Sequence, residues 1–346
     1  MVKKILLFAV MLSINLCVYA YNPPIMGENI YNLTSPSMLS GDASVAGGSL
    51  FYVSPEHMGL NPALLASEQR AVINGAYTGL FGKNKDKSYG QAFYVGGMFP
   101  SQYGVFSAAI QGVSSTFSDM NLGNTFTIRG GYSKDFYEDF YVGLGLTGAF
   151  GTDSAIYADV GVLYLPNKIE WLPFMKDVRL GASITQLGKT VNPHSIGVKA
   201  GKATTGIPSL ITPRAGFAGT FLDIDTIKAG LSLDFAIPSF QNILFDANVQ
   251  CMFFDIITLS SGWQFNLVET IKNKASYYPS VSVSVKFGID KKSASDSIYN
   301  SGKRNEITVA GAYKSLSNDV SIISAGGGIH FGVIDNVAPD IILWEE

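Results

Sequence analysis

Hydrophobic and polar residues alternate along most of this chain. From Arg70 onward the alternation recurs in segments of about ten residues, the length typical of strands in a membrane-spanning barrel. A period of two residues predicts β-strands, because successive side chains of a strand point to opposite faces. The clearest segment, 226–238, has an apolar face formed by Ile227, Ala229, Leu231, Leu233 and Phe235 and a polar face formed by Lys228, Gly230, Ser232 and Asp234.

Segments of this kind number about fourteen, and an even number places both ends of a barrel on the same side of the membrane. They lie near residues 70–80, 89–99, 103–113, 123–133, 139–151, 154–165, 177–187, 210–222, 226–237, 241–254, 256–266, 277–289, 305–315 and 320–333. The pattern predicts an all-β fold, a transmembrane outer-membrane β-barrel of about fourteen antiparallel strands over residues 70–346. A barrel of this size has a lumen that its own side chains do not fill.

The polar faces distinguish a membrane barrel from a soluble β-sandwich. A soluble sandwich usually exposes lysine and glutamate, whereas these faces consist of Gly, Ser, Thr and an occasional charge. Only 15% of the residues are charged, against about 25% in a typical soluble domain. Phenylalanines near strand ends on the apolar face predict aromatic belts at the membrane interfaces. These are Phe99, Phe150, Phe221, Phe235, Phe253, Phe265, Phe287 and Phe331.

The N-terminus predicts export. Two lysines precede the apolar run Ile5–Val18, and the small residue Ala20 ends a segment typical of a secretory signal peptide, over residues 1–20. In an alternative interpretation Cys17 is a lipidation site, but Leu16 before it is bulkier than the residue usual there. Removal of the signal peptide leaves one cysteine, which excludes an intramolecular disulfide.

Residues 21–69 lack sustained alternation and form a distinct segment before the barrel. The segment is either a flexible leader or a plug that folds inside the barrel, and its many apolar residues favour the plug. Gly47-Gly48 allows tight backbone turns. Asn61-Pro62 predicts a rigid turn in which the Asn61 side chain hydrogen-bonds nearby backbone.

Within this segment the sequence resembles the FadL-type outer-membrane transporters. The resemblance rests on Asp42-Ala43-Ser44, Ser54-Pro55 and Asn61-Pro62-Ala63-Leu64-Leu65-Ala66, which occur in family order. It implies that the plug motif, Asn61, Pro62 and Ala63, packs inside the barrel lumen. It also implies binding and passive uptake of hydrophobic or amphipathic molecules such as long-chain fatty acids, without a cofactor.

The candidate catalytic residues do not form a catalytic arrangement. No two of the histidines, His57, His194 and His330, have the spacing of a metal site. Ser324 and His330 share the polar face of the last strand, but the extended chain separates them by about 20 Å, too far for a nucleophile and its base. We therefore predict that the protein is not an enzyme and needs no metal or cofactor. The net charge of −3 gives no reason to expect nucleic acid as a partner.

Charged residues on the polar faces are candidate lumen residues. In the simpler interpretation they pair with one another and anchor the plug. In the other, an arginine or lysine holds the carboxylate of an amphipathic ligand. The candidates for both roles are Arg129, Arg179, Arg214, Lys228, Asp234 and Asp246, with Asp159 and Lys286 on the same faces.

These patterns predict an outer-membrane barrel with the lipid bilayer as its partner, and the resemblance implies passive uptake with a fatty acid or other hydrophobic ligand as a further partner. The alternative is a non-transporting outer-membrane scaffold of the PorV or PorQ type, which the FadL-like group includes, with secreted or surface-attached proteins as partners. A small-solute porin is disfavoured by so large a plug.

Overall fold

Fourteen antiparallel strands close into a barrel in the computed structural model, which describes residues 33–82, 89–115, 123–137, 139–150, 154–166, 174–188, 211–240, 242–271, 277–290, 304–317 and 320–332. Each strand pairs with the strands before and after it in sequence, and the last pairs with the first. The predicted all-β barrel of fourteen strands is confirmed.

The strands are β1 Ala71–Gly82, β2 Tyr89–Ser101, β3 Gly104–Ser115, β4 Gly123–Tyr137, β5 Phe140–Phe150, β6 Ser154–Tyr164, β7 Lys176–Gly188, β8 Thr212–Ile224, β9 Ile227–Ala236, β10 Leu244–Phe253, β11 Ile257–Asn266, β12 Ser280–Asp290, β13 Arg304–Ser317 and β14 Val320–Phe331. The largest difference from the predicted boundaries is in β4, which ends at Tyr137 instead of near residue 133. β10 begins later than predicted, because the chain first makes a short 3-10 helix over Pro238–Phe240.

The two faces of the strands differ in burial as the alternation predicts. In β9, Ser232 is 0% and Asp234 is 7% exposed, whereas the neighbouring Phe235 is 41% exposed. The register places Ser232 opposite Asn248 of β10, so the polar side chains of adjacent strands share the inner face. The closed barrel therefore has a polar lumen and an apolar outer surface.

The outer surface places aromatic residues near strand ends and aliphatic residues between them. In β5, for example, Leu144 and Leu146 occupy the middle of the strand and Phe150 its end, and all three are exposed. Most of the predicted belt residues have strongly exposed side chains, and Phe253 is partly exposed. Those with exposed fractions between 41% and 53% are Phe99, Phe150, Phe221, Phe235, Phe265, Phe287 and Phe331. This surface suits a bilayer with aromatic residues at both interfaces.

Residues 33–69 precede β1 and contain three short helices. These are α1 at Pro36–Ser40 and 3-10 helices at Pro55–Gly59 and Pro62–Ser67. α1 begins after Ser35, whose side chain accepts a hydrogen bond from the Met38 backbone, and ends at Gly41 in the left-handed conformation, with φ of 79°. Caps of this kind stabilise helices too short to persist alone.

The segment runs along the length of the lumen. We call the end of the barrel where β1 begins and β14 ends the terminal end, and the opposite end the far end. Leu33 and Leu39 pack in an apolar cluster with residues at the far end: Leu80, Ala92, Val113, Ala312, Val320 and Ile322. Met58 and Leu65 pack in a second cluster near the terminal end, with Val72, Tyr94, Met98, Val105 and Ala109. Residues 33–65 therefore extend from one end of the barrel towards the other.

Several predictions from the sequence lie outside the described residues. They concern the signal peptide at 1–20, residues 21–32 of the segment before the barrel, His194, and the C-terminal residues 333–346. Within the described part of the chain, no helix has the length and apolarity needed to cross a membrane. A short helix, α2, occupies Leu267–Ile271 directly after β11.

Candidate functional site

Asn61 of the predicted plug motif connects the segment to itself and to the barrel. Its side-chain amide donates hydrogen bonds to the carbonyl oxygens of Val45, at 2.8 Å, and Val162 of β6, at 2.9 Å. Its Oδ1 accepts a hydrogen bond from the Ala63 backbone at 3.0 Å, so Pro62 begins a capped turn. β6 tolerates this close approach because residue 161 is glycine, where a Cβ would lie 1.9 Å from Asn61 Oδ1.

Substitution of Asn61 by leucine tests this anchor. Loss of the amide leaves two buried carbonyls without their donor, so we expect the segment to lose about 1–3 kcal/mol of local stability. Hydrogen exchange of residues 42–66 should accelerate, while exchange of the strands stays unchanged. The control is Asn266→Leu, which removes an equally buried asparagine that hydrogen-bonds Asn242 and the Glu269 backbone. Unchanged exchange in the Asn61 variant would refute the anchor.

Arg179 and Asp234 also hold the segment. The buried Arg179 guanidinium donates to the carbonyl oxygens of Ala46, Gly48 and Ser49, at 3.3, 2.7 and 3.0 Å. Asp234 accepts hydrogen bonds from the Ser44 hydroxyl at 2.8 Å and the Val45 backbone at 2.9 Å. Both sets of contacts are buried, and those of the Arg179 guanidinium are charge-assisted, which places them in the strong class of hydrogen bond.

The other predicted lumen charges occupy three separate places. Arg129 lies beside Gly59, where a Cβ would be 2.0 Å from its Nη1. Arg214 and Asp246 line a cavity of about 40 Å³, together with Asp234 and Lys314. Lys228 is at the terminal end, where it pairs with Asp255 at 3.1 Å and is half exposed.

A larger cavity of about 220 Å³ separates the segment from the opposite wall of the barrel. On the segment side it is lined by Ser35, Pro36, Ser37, Asp42, Leu50, Phe51, Tyr52 and Glu56. On the wall side it is lined by Arg70, residues 74–76 of β1, and residues of β10 to β14 that include Met252, Lys286, Glu306, Thr308, Ala310 and Gly326 to Gly328. The six charges singled out as site residues are not among its lining residues, whereas Lys286 is.

Small residues on three adjacent strands leave this space open. The register aligns Ala310 of β13 with Gly326 of β14, and Gly326 with Ala76 of β1. All three face the lumen, because they share the parity of the buried Ala312, Ser324 and Thr78. At these three positions the β13–β14–β1 wall therefore lacks side chains that would fill the space beside the segment.

Hydrogen-bond acceptors concentrate on part of the cavity lining. The buried Glu56 carboxyl accepts hydrogen bonds from the hydroxyls of Ser35, at 3.2 Å, and Ser37, and from Asn74 Nδ2. Asp42 accepts from Gln250 Nε2 at 3.0 Å and from the Ser282 hydroxyl. Burial raises the pKa of both carboxyl groups above their ordinary values, against the opposing effect of these hydrogen bonds. Among the described residues, neither carboxyl group has an ion-pair partner.

An ion cluster closes the terminal end of the cavity. Arg70 pairs with Glu68 at 2.9 Å and with Glu306 of β13 at 2.7 Å, and Lys286 lies 3.7 Å from Glu306. His330 of β14 lies 3.5 Å from Glu68. Burial acts to raise the pKa of Glu68, but hydrogen bonds from His330 and Arg70 outweigh it and hold this pKa at about 2. The cluster therefore joins the end of the segment to β12, β13 and β14.

Sequence reasoning did not identify Glu56, Asn74, Arg70 or Glu306 as site residues. Glu56 had one available signal, since it is the sole acidic residue between Asp42 and Glu68. An isolated acid in an apolar, turn-rich segment needs a polar partner inside the fold. No group of residues suited to holding a metal ion occurs in the part of the chain that the structure describes.

Comparison with known proteins identifies related structures. No protein-family model and no curated protein matches the chain. The solved structure of CymD, described as a monoaromatic hydrocarbon channel, has a TM-score of 0.53 and 11% identity, covering 89% of this chain and 100% of that one. The toluene transporter TodX of Pseudomonas putida has a TM-score of 0.51 and 10% identity, covering 86% of this chain and 97% of that one. The chain therefore shares the barrel fold of CymD and TodX, and a closed outer-membrane-type barrel is the fold that the resemblance in residues 42–66 implied.

Proposed function

We propose that this protein is an outer-membrane channel for passive uptake of small hydrophobic or amphipathic molecules, and that residues 21–69 form its plug. The cavity of about 220 Å³ between residues 33–56 and the barrel wall carries this proposal. It lies inside the lumen, and its lining combines apolar side chains such as Phe51 and Met252 with a few polar groups. Ligand sites commonly have this composition.

The cavity volume favours compact ligands. An apolar protein cavity of about 150 Å³ accepts benzene, whereas pockets for drug-sized ligands enclose about 300–1,000 Å³. A volume of about 220 Å³ falls between them and suits a molecule with one ring. A long-chain fatty acid, which the family resemblance implied, requires the plug to move further. The description of CymD and TodX as channels for monoaromatic hydrocarbon and toluene agrees with a compact substrate.

The plug makes more hydrogen bonds to some strands of the barrel than to others, and this difference supports a route for the ligand. Asn61, Arg179 and Asp234 attach the plug to β6, β7 and β9 through buried hydrogen bonds. On the side of β13, β14 and β1, hydrogen bonds join Glu56 to Asn74 and Tyr52 to His330, but the cavity separates the segment from much of the wall. A ligand therefore passes along this wall, where open space already lies between plug and barrel. Uptake of this kind follows the concentration gradient and uses no cofactor.

Filling the cavity tests this route. Ala310→Phe places a ring into the space opposite Phe51 and Tyr52, so we expect toluene affinity and uptake to fall about tenfold or more, the equivalent of about 1.4 kcal/mol. Uptake of radiolabelled toluene by cells that express the protein in the outer membrane is the measurement. Val309→Phe is the matched control, because Val309 is the next residue and faces outward with 53% exposure.

The same assay separates transport from the scaffold alternative. If wild-type protein accelerates uptake of neither toluene nor oleate, transport is refuted. Co-purification with secreted proteins would then favour the PorV-like or PorQ-like role. If both phenylalanine variants transport as well as wild type, the route lies elsewhere in the lumen.

A further inference from the structure

Asn74 of β1 lines the cavity and carries an unpartnered acceptor. The side chain is 8% exposed. Its Nδ2 donates to the Glu56 carboxyl, and its Oδ1 is buried with no hydrogen-bond partner among the described residues. Buried polar atoms in folded proteins are nearly always hydrogen-bonded, and an orphaned one carries an uncompensated desolvation cost. A donor supplied by a ligand would remove this cost.

The surrounding groups favour a donor over an acceptor. Glu56 and Asp42 also line the cavity, and both act as acceptors towards their protein neighbours. The two cationic side chains in the lining, Arg70 and Lys286, already lie beside Glu306. A carboxylate ligand would therefore approach two carboxyl groups and compete with glutamate for the cations, which disfavours it electrostatically.

The rest of the cavity sets the size and polarity of the ligand. Phe51, Leu50 and Met252 provide apolar surface, and Gly326 and Gly328 of β14 contribute no side chain beyond Cα. A volume of about 220 Å³ exceeds the about 150 Å³ that accepts benzene. An apolar body of one ring fits these surfaces, with its polar group directed towards Asn74.

We propose that the cavity selects single-ring hydrophobic molecules that carry a hydrogen-bond donor, such as phenols, and that Asn74 Oδ1 accepts that donor. Hydrocarbons without a donor bind less well relative to their hydrophobicity, and carboxylates are rejected. This inference rests on the proposed uptake function, because the ligand must reach the cavity. Asn74 is thus a specificity-determining residue, since a buried acceptor left unpaired discriminates strongly against ligands that lack its donor.

Four ligands of similar shape test the proposal on the purified full-length protein. Toluene has no polar group, p-cresol adds a donor, 4-methylanisole offers only an acceptor, and p-toluate is a carboxylate at pH 7. Calorimetric titration should give p-cresol a dissociation constant about tenfold below that of 4-methylanisole, since one hydrogen bond to a buried acceptor contributes about 1.4 kcal/mol. p-Toluate should bind more weakly than p-cresol.

Substitution of Asn74 by leucine removes the acceptor, together with the donor to Glu56, and keeps the branched shape of the side chain. We expect p-cresol affinity relative to toluene to fall about tenfold. Asn74→Ala is the second variant if leucine prevents folding, which heat-dependent migration on gels detects. Thr127→Val is the control, because it removes another buried, unpartnered lumen oxygen outside the cavity lining. Thr127→Val should leave the ratio of p-cresol affinity to toluene affinity unchanged.

The outcomes distinguish failure of this inference from failure of the proposed uptake function. If toluene binds wild-type protein but 4-methylanisole or p-toluate binds as tightly as p-cresol, donor selection is refuted and the uptake route stands. If the ratio of p-cresol affinity to toluene affinity is unchanged in both Asn74 variants, only the role of Asn74 is refuted. If none of the four ligands binds wild-type protein, the cavity is not a ligand site and the proposed function fails with it.

Discussion

Deletion of residues 21–66 is expected to turn a nearly closed protein into one that conducts ions. Residues 33–66 contribute no strand, and the fourteen strands pair with one another in an unbroken ring. The barrel should therefore still fold and insert. Its lumen would lose the helices that occupy it between the far and terminal ends, and a barrel of this size does not fill itself. Single-channel conductance in a planar bilayer is the measurement.

A second variant separates loosening of the plug from its loss. Arg179→Met combined with Asp234→Asn keeps every residue of the plug but weakens contacts to the backbone of residues 44–49. We expect brief openings in this variant and sustained conductance in the deletion. Heat-dependent migration on gels verifies that each barrel is folded. A folded deletion variant that remains closed would mean that residues 21–66 are not the plug.

The alternation of side chains predicted the barrel because lipid and lumen impose opposite requirements on the two faces of every strand. The alternation no longer marks a strand where the register between two paired strands shifts. β4 pairs with β5 through an irregularity between Asp135 and Tyr137. A bulge inserts a residue and reverses the alternation beyond it, so the end of β4 at Tyr137 was not visible in the pattern.

The cavity was not predictable from the sequence for a different reason. Its walls combine Ala76, Ala310 and Gly326, which are far apart in the chain and become neighbours only through the register of the closed sheet. Gly326 and Gly328 of β14 line the space between residues 33–56 and the wall and add no side chain to it.

The lumen charges were predictable as a class but not in their individual contacts. The polar parity predicts Arg179 and Asp234 on the inner face, and both side chains are buried in the structure. Their partners, however, are backbone groups of residues 44–49, and a backbone carbonyl or amide carries no signature in the sequence. The same parity predicts Lys228 in the lumen, yet its position at the start of β9 leaves it half exposed beside Asp255.

An arginine at residue 309 should destabilise the barrel by about 2–4 kcal/mol, whereas an arginine at residue 310 should cost less. Val309 lies in the middle of β13 and is 53% exposed on the outer face, so Val309→Arg places a charge among lipid tails. Ala310 faces the cavity, where Ala310→Arg reaches polar groups that include Thr308.

Urea titration of folding into lipid vesicles measures the two free energies of unfolding. The comparison is sharp because the two residues are adjacent, share one strand and differ only in the face they occupy. A large loss of unfolding free energy at residue 309 with a small loss at residue 310 would mean that lipid covers the outer face of the sheet and that the inner face borders open space. Equal penalties would mean that protein covers both faces, and the outer surface of β13 would then be an interface and not the lipid boundary.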